Sequence, residues 1–65
     1  MNVVKFKQKL LERKLSQKDF AESLGITYQG LWKKLDSNNW TLEDIKKTKR
    51  ILQLSDDDIR VIFEL

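Results

Sequence analysis

The stretch from Ser16 to Leu35, SQKDFAESLGITYQGLWKKL, constrains the fold more than any other part of the sequence. Two amphipathic helical patterns abut within it, and one glycine, Gly25, separates them. Glycine adopts the left-handed conformation that ends many helices without the penalty of a Cβ atom. Thr27 follows closely and is a residue type that caps a new helix. The sequence therefore predicts a helix, a tight turn and a second helix, with no room for a longer loop.

Other helix starts are marked by capping boxes, in which a cap Ser or Thr pairs with an acidic residue three positions later. Three such pairs occur: Ser16 with Asp19, Thr41 with Asp44, and Ser55 with Asp58. No proline or alternating β pattern interrupts the chain. The expected fold is therefore all-α, a compact five-helix bundle that forms a single domain over residues 1–65.

The first helix is expected to run from Val3 to Lys14. Its polar residues are expected to face the solvent. Its apolar residues recur at helical spacing and are expected to face the core: Val3, Phe6, Leu10 and Leu11.

Composition argues against several classes of protein. The 65 residues include no cysteine and no histidine, so the usual nucleophile–base pairs of hydrolases and the usual zinc ligands are missing. We expect no enzyme activity, no metal and no cofactor. No apolar run approaches the roughly 20 residues that span a bilayer, and no signal-peptide pattern opens the chain. A soluble cytoplasmic domain with no membrane partner is the expectation.

Charge is distributed unevenly along the chain. Residues 1–54 carry twelve Lys and Arg against six Asp and Glu, whereas residues 55–65 carry one against four. The excess of positive charge in residues 1–54 favours binding to a polyanion. However, lysines on helices often only form a solvent-exposed face. The acidic cluster at residues 56–58 is stabilised by the positive N-terminal end of a helix dipole, and it would repel phosphates. The last helix is therefore expected to lie away from any nucleic acid.

The helix–turn–helix segment carries matching residues at fixed spacing: Gln17, Phe20, Ala21, Leu24, Gly25, Ile26 and Leu31. At these positions it resembles the helix-turn-helix of phage repressors and Cro-type regulators, and residues 33–65 resemble the tail of small regulators of this type. The resemblance implies a lambda-repressor-like fold with its helix-turn-helix at 16–35. It also implies sequence-specific binding to double-stranded operator DNA, as a transcriptional repressor of a phage or prophage. Lys34 departs from the usual apolar residue, and Gly30 from the usual polar one.

The recognition helix is expected to span residues 27–35 and to lie in the major groove. On a helical wheel Gln29 and Lys33 lie nearly opposite Leu31, so they face outward together. Gln can pair with adenine N6 and N7, and Lys can donate to guanine O6 and N7. Tyr28 is a contact position by resemblance. Trp32 lies on the same flank and is either a DNA contact or a half-buried packing residue.

Phosphate contacts are expected around the start of the second helix and after the third. The first amides of a helix form a ready phosphate site, and the resemblance implies that Gln17 holds the DNA backbone. The polar turn after the third helix touches the sugar-phosphate strand in resembling proteins, although turn chemistry alone also explains it. The predicted phosphate contacts are Ser16, Gln17, Lys18, Lys34, Asn38 and Asn39.

One recognition helix covers too few base pairs for useful specificity, so a homodimer is expected, weak when free and strengthened on DNA. Ile59, Ile62 and Phe63 share a stripe that would pack on the body. Val61 and Leu65 lie off that stripe and are the predicted dimer contacts. No small-molecule ligand is expected. The alternative function is a protein-interaction module of antitoxin or antirepressor type, which would use Trp32 and the apolar C-terminal residues.

Overall fold

The computed structural model describes every residue from Met1 to Leu65 and contains five α-helices and no strand. The Cα radius of gyration is 10.5 Å, close to the roughly 11 Å of a folded chain of this length. The predicted all-α class is confirmed. None of the helices combines the length and the apolar character that crossing a membrane requires. The helices are α1 (Val3–Glu12), α2 (Gln17–Leu24), α3 (Tyr28–Ser37), α4 (Leu42–Leu52) and α5 (Asp56–Phe63).

The predicted helix starts are confirmed by their caps. Ser16, Thr41 and Ser55 each accept a hydrogen bond from the backbone N–H three residues on, and the acidic partner there accepts one in return. Each box satisfies two backbone N–H groups that a helix start leaves without partners. The cap of α1, which the sequence analysis did not predict, is Asn2, whose Oδ1 accepts from the Lys5 N–H at 3.0 Å.

The core is built around a cluster of aromatic rings contributed by four segments. Phe6 meets the Phe20 ring edge-on at 5.1 Å and the Trp40 ring at 6.2 Å, and Trp40 meets Phe63 at 5.3 Å. Aliphatic side chains complete the buried set: Leu10, Ala21, Leu24, Leu31, Leu35, Leu52, Leu54 and Ile62. Ala21 leaves room where α2 packs against α3 and α4.

Two expectations for α1 are wrong. The helix ends at Glu12, because Arg13 caps it and Lys14 adopts a left-handed φ of 56°. Leu11 is 79% exposed. Phe6 and Leu10 define the buried face, and the next residue in a helix points about 100° away from Leu10. The core-facing sector of α1 is therefore narrower than its apolar pattern indicates.

Helix α1 packs against α5 and also borders a cleft with α3. On one side, Lys9 forms an ion pair with Asp58 at 3.5 Å, and the Asn2 N–H donates to the Ile62 carbonyl at 2.7 Å. On the other side, Val3 and Lys7 line a cleft with α3. Lys7 and Lys9 lie on roughly opposite sides of the helix, so the ion pair with α5 and the cleft with α3 lie on different flanks of α1.

Candidate nucleic-acid interface

The turn between α2 and α3 has the predicted form. Gly25 adopts a φ of 85°, in the left-handed region. Its N–H donates to the Glu22 carbonyl at 3.1 Å, and the Ile26 N–H reaches back to the Ala21 carbonyl at 3.0 Å. These two bonds satisfy carbonyls at the end of α2. Helix α3 begins three residues after Gly25, so the angle between the two helices is set by a very short connection.

Gly30 permits a close approach at the start of α3. The Thr27 hydroxyl accepts from the Gly30 N–H at 3.0 Å. A Cβ atom built on Gly30 would lie 3.2 Å from Thr27 Oγ1 and 3.7 Å from Ile26 Cβ. The residue that weakens α3 by propensity, by up to about 1 kcal/mol, therefore gives space to the capping hydroxyl of Thr27, whereas the distance to Ile26 is an ordinary contact.

The outward face of α3 carries polar side chains without intramolecular partners. Gln29 and Lys33 are exposed, and neither side chain forms a hydrogen bond or an ion pair within the protein. Asp36 lies three residues beyond Lys33 and seven beyond Gln29, which places it on the same face. The sequence analysis missed Asp36, although the spacing that selected Gln29 and Lys33 also selects it.

An exposed aromatic pair flanks that face. Tyr28 is 42% exposed and Trp32 47% exposed, and their rings meet edge-on with centroids 6.2 Å apart. Trp32 is therefore only half covered by packing, and its DNA contact stays a prediction. Beside it lies a cleft of about 400 Å³ between α1 and α3, lined by Val3, Lys7, Trp32, Lys33, Leu35 and Asp36.

The start of α2 lies next to the same region. The Ser16 hydroxyl accepts from the Asp19 N–H at 3.0 Å, so this side chain is already used as a cap. Gln17 Oε1 is buried without a donor, and Lys18 is exposed without an ion pair. A second, smaller cleft is lined by Lys7, Leu10, Leu11, Leu15, Ser16 and Gln17.

Lys7 lines both clefts, so it lies between the flank of α3 and the first turn of α2. It is exposed and forms no ion pair. The sequence analysis gave it no role, because periodicity along α1 does not show which neighbouring helix each flank meets. We therefore add Lys7 to the residues considered for phosphate contact.

Lys34, a predicted phosphate contact, has an internal partner instead. Its ammonium lies 2.6 Å from Asp44 Oδ2 and 3.4 Å from the Asn39 carbonyl. It also lies 5.8 Å from the centre of the Trp40 ring. An ammonium that is paired with a carboxylate attracts a phosphate less strongly than a free one, so a phosphate contact of Lys34 stays a prediction and the proposed interface rests on other residues.

The same pair leads to a pH prediction. The hydrogen bond from Lys34 holds the pKa of Asp44 below its ordinary value of 3.8, helped by hydrogen bonds from Thr41 and opposed by partial burial. Because the pKa is lowered in the folded state, the pair stabilises the fold above pH 3.8, and this contribution disappears as the pH falls through the folded-state pKa. We expect Lys34→Met to raise the pKa of Asp44, measured by NMR titration. Lys33→Met is the matched control, and an equal rise in that variant would contradict the assignment.

The turn after α3 is polar and exposed. Asn38 has a φ of 56° and caps the helix, a conformation that Asn tolerates better than most residues. Asn39 contributes its carbonyl to Lys34, and neither Asn side chain forms a hydrogen bond. Turn chemistry explains both residues, and their contacts with a sugar-phosphate strand stay predictions.

The apolar residues of the C-terminal segment divide into a packed set and an exposed set, as predicted. Ile62 and Phe63 are buried and Ile59 is partly buried against the core, whereas Val61 is 48% and Leu65 76% exposed. The packing expectation for the first three residues is confirmed. The dimer role of the other two stays a prediction, since only their exposure is established.

Comparison with known proteins does not place the chain in a family. No protein-family model matches it, and neither a curated protein nor a solved structure gives a match. The resemblance of residues 16–35 to phage repressors therefore stays a hypothesis. We base the function on the geometry, charge and chemistry of the residues themselves.

Proposed function

We propose that this protein binds double-stranded DNA sequence-specifically through α3 and represses transcription as a Cro-like helix-turn-helix regulator of a phage or prophage. One observation carries the proposal. Two helices joined by the left-handed Gly25 present Gln29 and Lys33, both exposed and without internal partners, on the outward face of the second helix.

The chemistry of that face suits the edges of base pairs. A major groove is about 12 Å wide and admits one α-helix. The Gln29 amide offers a donor and an acceptor for adenine N6 and N7, and the Lys33 ammonium donates to guanine O6 and N7. Lys7 lines the cleft beside this face and the cleft at the start of α2, where Lys18 is exposed in the first turn; these ammonium groups would neutralise phosphates and the first amides of α2 would donate to them.

The acidic residues of the last helix are compatible with this arrangement. Asp56, Asp57 and Asp58 pair with Lys49, Arg60 and Lys9 respectively. Helix α5 packs on the side of α1 away from the cleft with α3. Its negative charge is therefore partly neutralised, and its ion pair with α1 lies on a different flank of that helix from the cleft beside the proposed DNA face.

A selection experiment tests the proposal directly. The full chain is incubated with a pool of duplexes of random sequence in the presence of competitor DNA, and the bound fraction is sequenced. We expect a short consensus to be enriched. A bound fraction indistinguishable from the starting pool would overturn the proposal of sequence-specific binding.

That negative result would favour the second candidate, a protein-interaction module of antitoxin or antirepressor type. The observation behind it is apolar surface that DNA binding does not use. Val4 and Leu42 are each 69% exposed and Leu11 is 79% exposed. Trp32, Val61 and Leu65 are also exposed and are the residues that a protein partner would contact under this alternative.

Phosphate contacts lead to a prediction about salt. Lys18→Ala and Lys7→Ala are each expected to weaken binding to consensus and random duplexes about equally, and to lower the slope of log K against log salt by roughly one unit. The measurement is fluorescence anisotropy over a range of salt concentrations. Arg60→Ala removes the same charge from α5 and is the control. A Lys variant that alters base preference at unchanged slope would contradict this role.

Dimer formation leads to a second prediction. The molecule measures 27 × 25 × 20 Å, so two chains side by side can place their α3 helices about 34 Å apart, one turn of DNA. We expect two wild-type chains per palindromic consensus duplex in sedimentation at saturating protein. Val61→Asp combined with Leu65→Asp should bind the half-sites independently, so that below saturation complexes with one chain per duplex replace the two-chain complexes of the wild type, at unchanged helicity.

Val4→Asp is the control for that variant, because it places an acid on another exposed apolar site, on α1. It should still bind cooperatively. A wild-type chain that occupies its best site alone, or a double variant that still pairs, would show that α5 is not the dimer surface.

A further inference from the structure

Asp36 is the one acidic residue of α3, and it lies on the outward face. Six of the ten acidic residues form ion pairs, and Asp19 is used in the α2 cap. Asp36 has neither kind of partner, nor do Glu22 on α2 and Glu43 on α4. Among these three, only Asp36 shares a face with Gln29 and Lys33. Its carboxylate is therefore free to accept hydrogen bonds from a ligand on that face.

The surroundings of Asp36 are basic. Lys33 precedes it by one helical turn, and Lys7 lines the same cleft from α1. Neither ammonium lies within ion-pair distance of the carboxylate. Two nearby positive charges would reduce the repulsion between Asp36 and phosphates, so a carboxylate can be brought close to DNA here without a prohibitive penalty.

The chemistry of a carboxylate selects among the four bases. Ionised Asp only accepts hydrogen bonds. In the major groove, cytosine presents the N4 amino donor, whereas guanine presents only acceptors and thymine an acceptor and a methyl group. Adenine offers N6, but its N7 acceptor lies beside it. A carboxylate therefore matches cytosine best and is repelled by guanine.

The spacing from Lys33 sets the expected position of that cytosine. Three residues advance an α-helix by about 4.5 Å, and neighbouring base pairs are about 3.4 Å apart. Resting on the DNA-binding function proposed above, we infer that Asp36 is a specificity-determining residue. It accepts from cytosine N4 in the base pair next to the guanine that Lys33 reads, and it disfavours guanine and thymine at that position.

Selection from random duplexes with wild type and Asp36→Asn tests this inference. We expect the wild-type consensus to contain a cytosine adjacent to a guanine, with a preference over guanine or thymine of roughly 5- to 150-fold. Asn both donates and accepts, so in Asp36→Asn the preference for cytosine over guanine or thymine should fall to near unity, while adenine, whose N6 and N7 match an amide, becomes acceptable. The preference at the adjacent guanine should persist.

Glu22→Gln is the matched control, since it removes one free, exposed negative charge from another helix. It should leave the cytosine preference intact. A consensus without that cytosine, or an Asp36→Asn variant that binds every sequence more tightly by one common factor, would overturn the inference while leaving DNA binding in place. Failure of the wild type to enrich any consensus would overturn both this inference and the proposed function.

Discussion

Replacing Phe6 by alanine is expected to lower the free energy of unfolding by about 3–5 kcal/mol. The Phe6 side chain is fully buried. It joins α1 to α2 and to the segment before α4 through the Phe20 and Trp40 rings. A chain of this length has a total stability on the order of 3–10 kcal/mol. The substitution should therefore remove between about a third and all of the stability, and the urea midpoint should fall far below that of the wild type.

Urea unfolding monitored by circular dichroism measures this effect. Leu11→Ala is the control on the same helix, and it should change stability by no more than about 0.5 kcal/mol, because Leu11 is 79% exposed. If Leu11→Ala destabilised the protein as much as Phe6→Ala, the buried face of α1 would be wrongly assigned.

Gln29→Ala and Lys33→Ala are each expected to cost roughly 1–3 kcal/mol of binding free energy on the consensus duplex, a loss of about 5- to 150-fold. Each variant would lack the hydrogen bonds that the wild-type side chain makes to base edges. The loss of affinity should therefore concentrate at one or two base pairs. Neither substitution removes a contact within the protein, and helicity should not change.

The decisive measurement is the ratio of affinities for consensus and random duplexes, at one salt concentration. Lys33→Ala also removes a positive charge, so Lys18→Ala, the proposed phosphate contact, is its charge-matched comparison. Lys18→Ala should preserve the ratio, whereas Lys33→Ala should lower it. An unchanged ratio in Gln29→Ala or Lys33→Ala would show that the residue does not read bases.

Local features could be predicted because their partners lie within one helical turn. The boxes at Ser16, Thr41 and Ser55 each join residues three apart, and the Gly25 turn needs only a positive φ. Such contacts depend on the chain's own dihedral angles and on neighbouring residue types. The outward face of α3 follows from the same helical periodicity, which also places Asp36 on that face.

The ion pair of Lys34, the clefts beside Lys7 and the exposure of Leu11 depended on how the helices pack against one another. Lys34 pairs with Asp44 ten residues away, and Arg13 Nε donates to the Leu52 carbonyl thirty-nine residues away. Periodicity gives the direction in which a side chain points but not which helix crosses there or how wide a sector it covers. The sequence by itself thus determined the number of helices, the N-terminal caps of α2 to α5 and the turn at Gly25. Only the tertiary structure decided which polar side chains form ion pairs or hydrogen bonds with other helices. Such a contact forms where packing brings the two helices together.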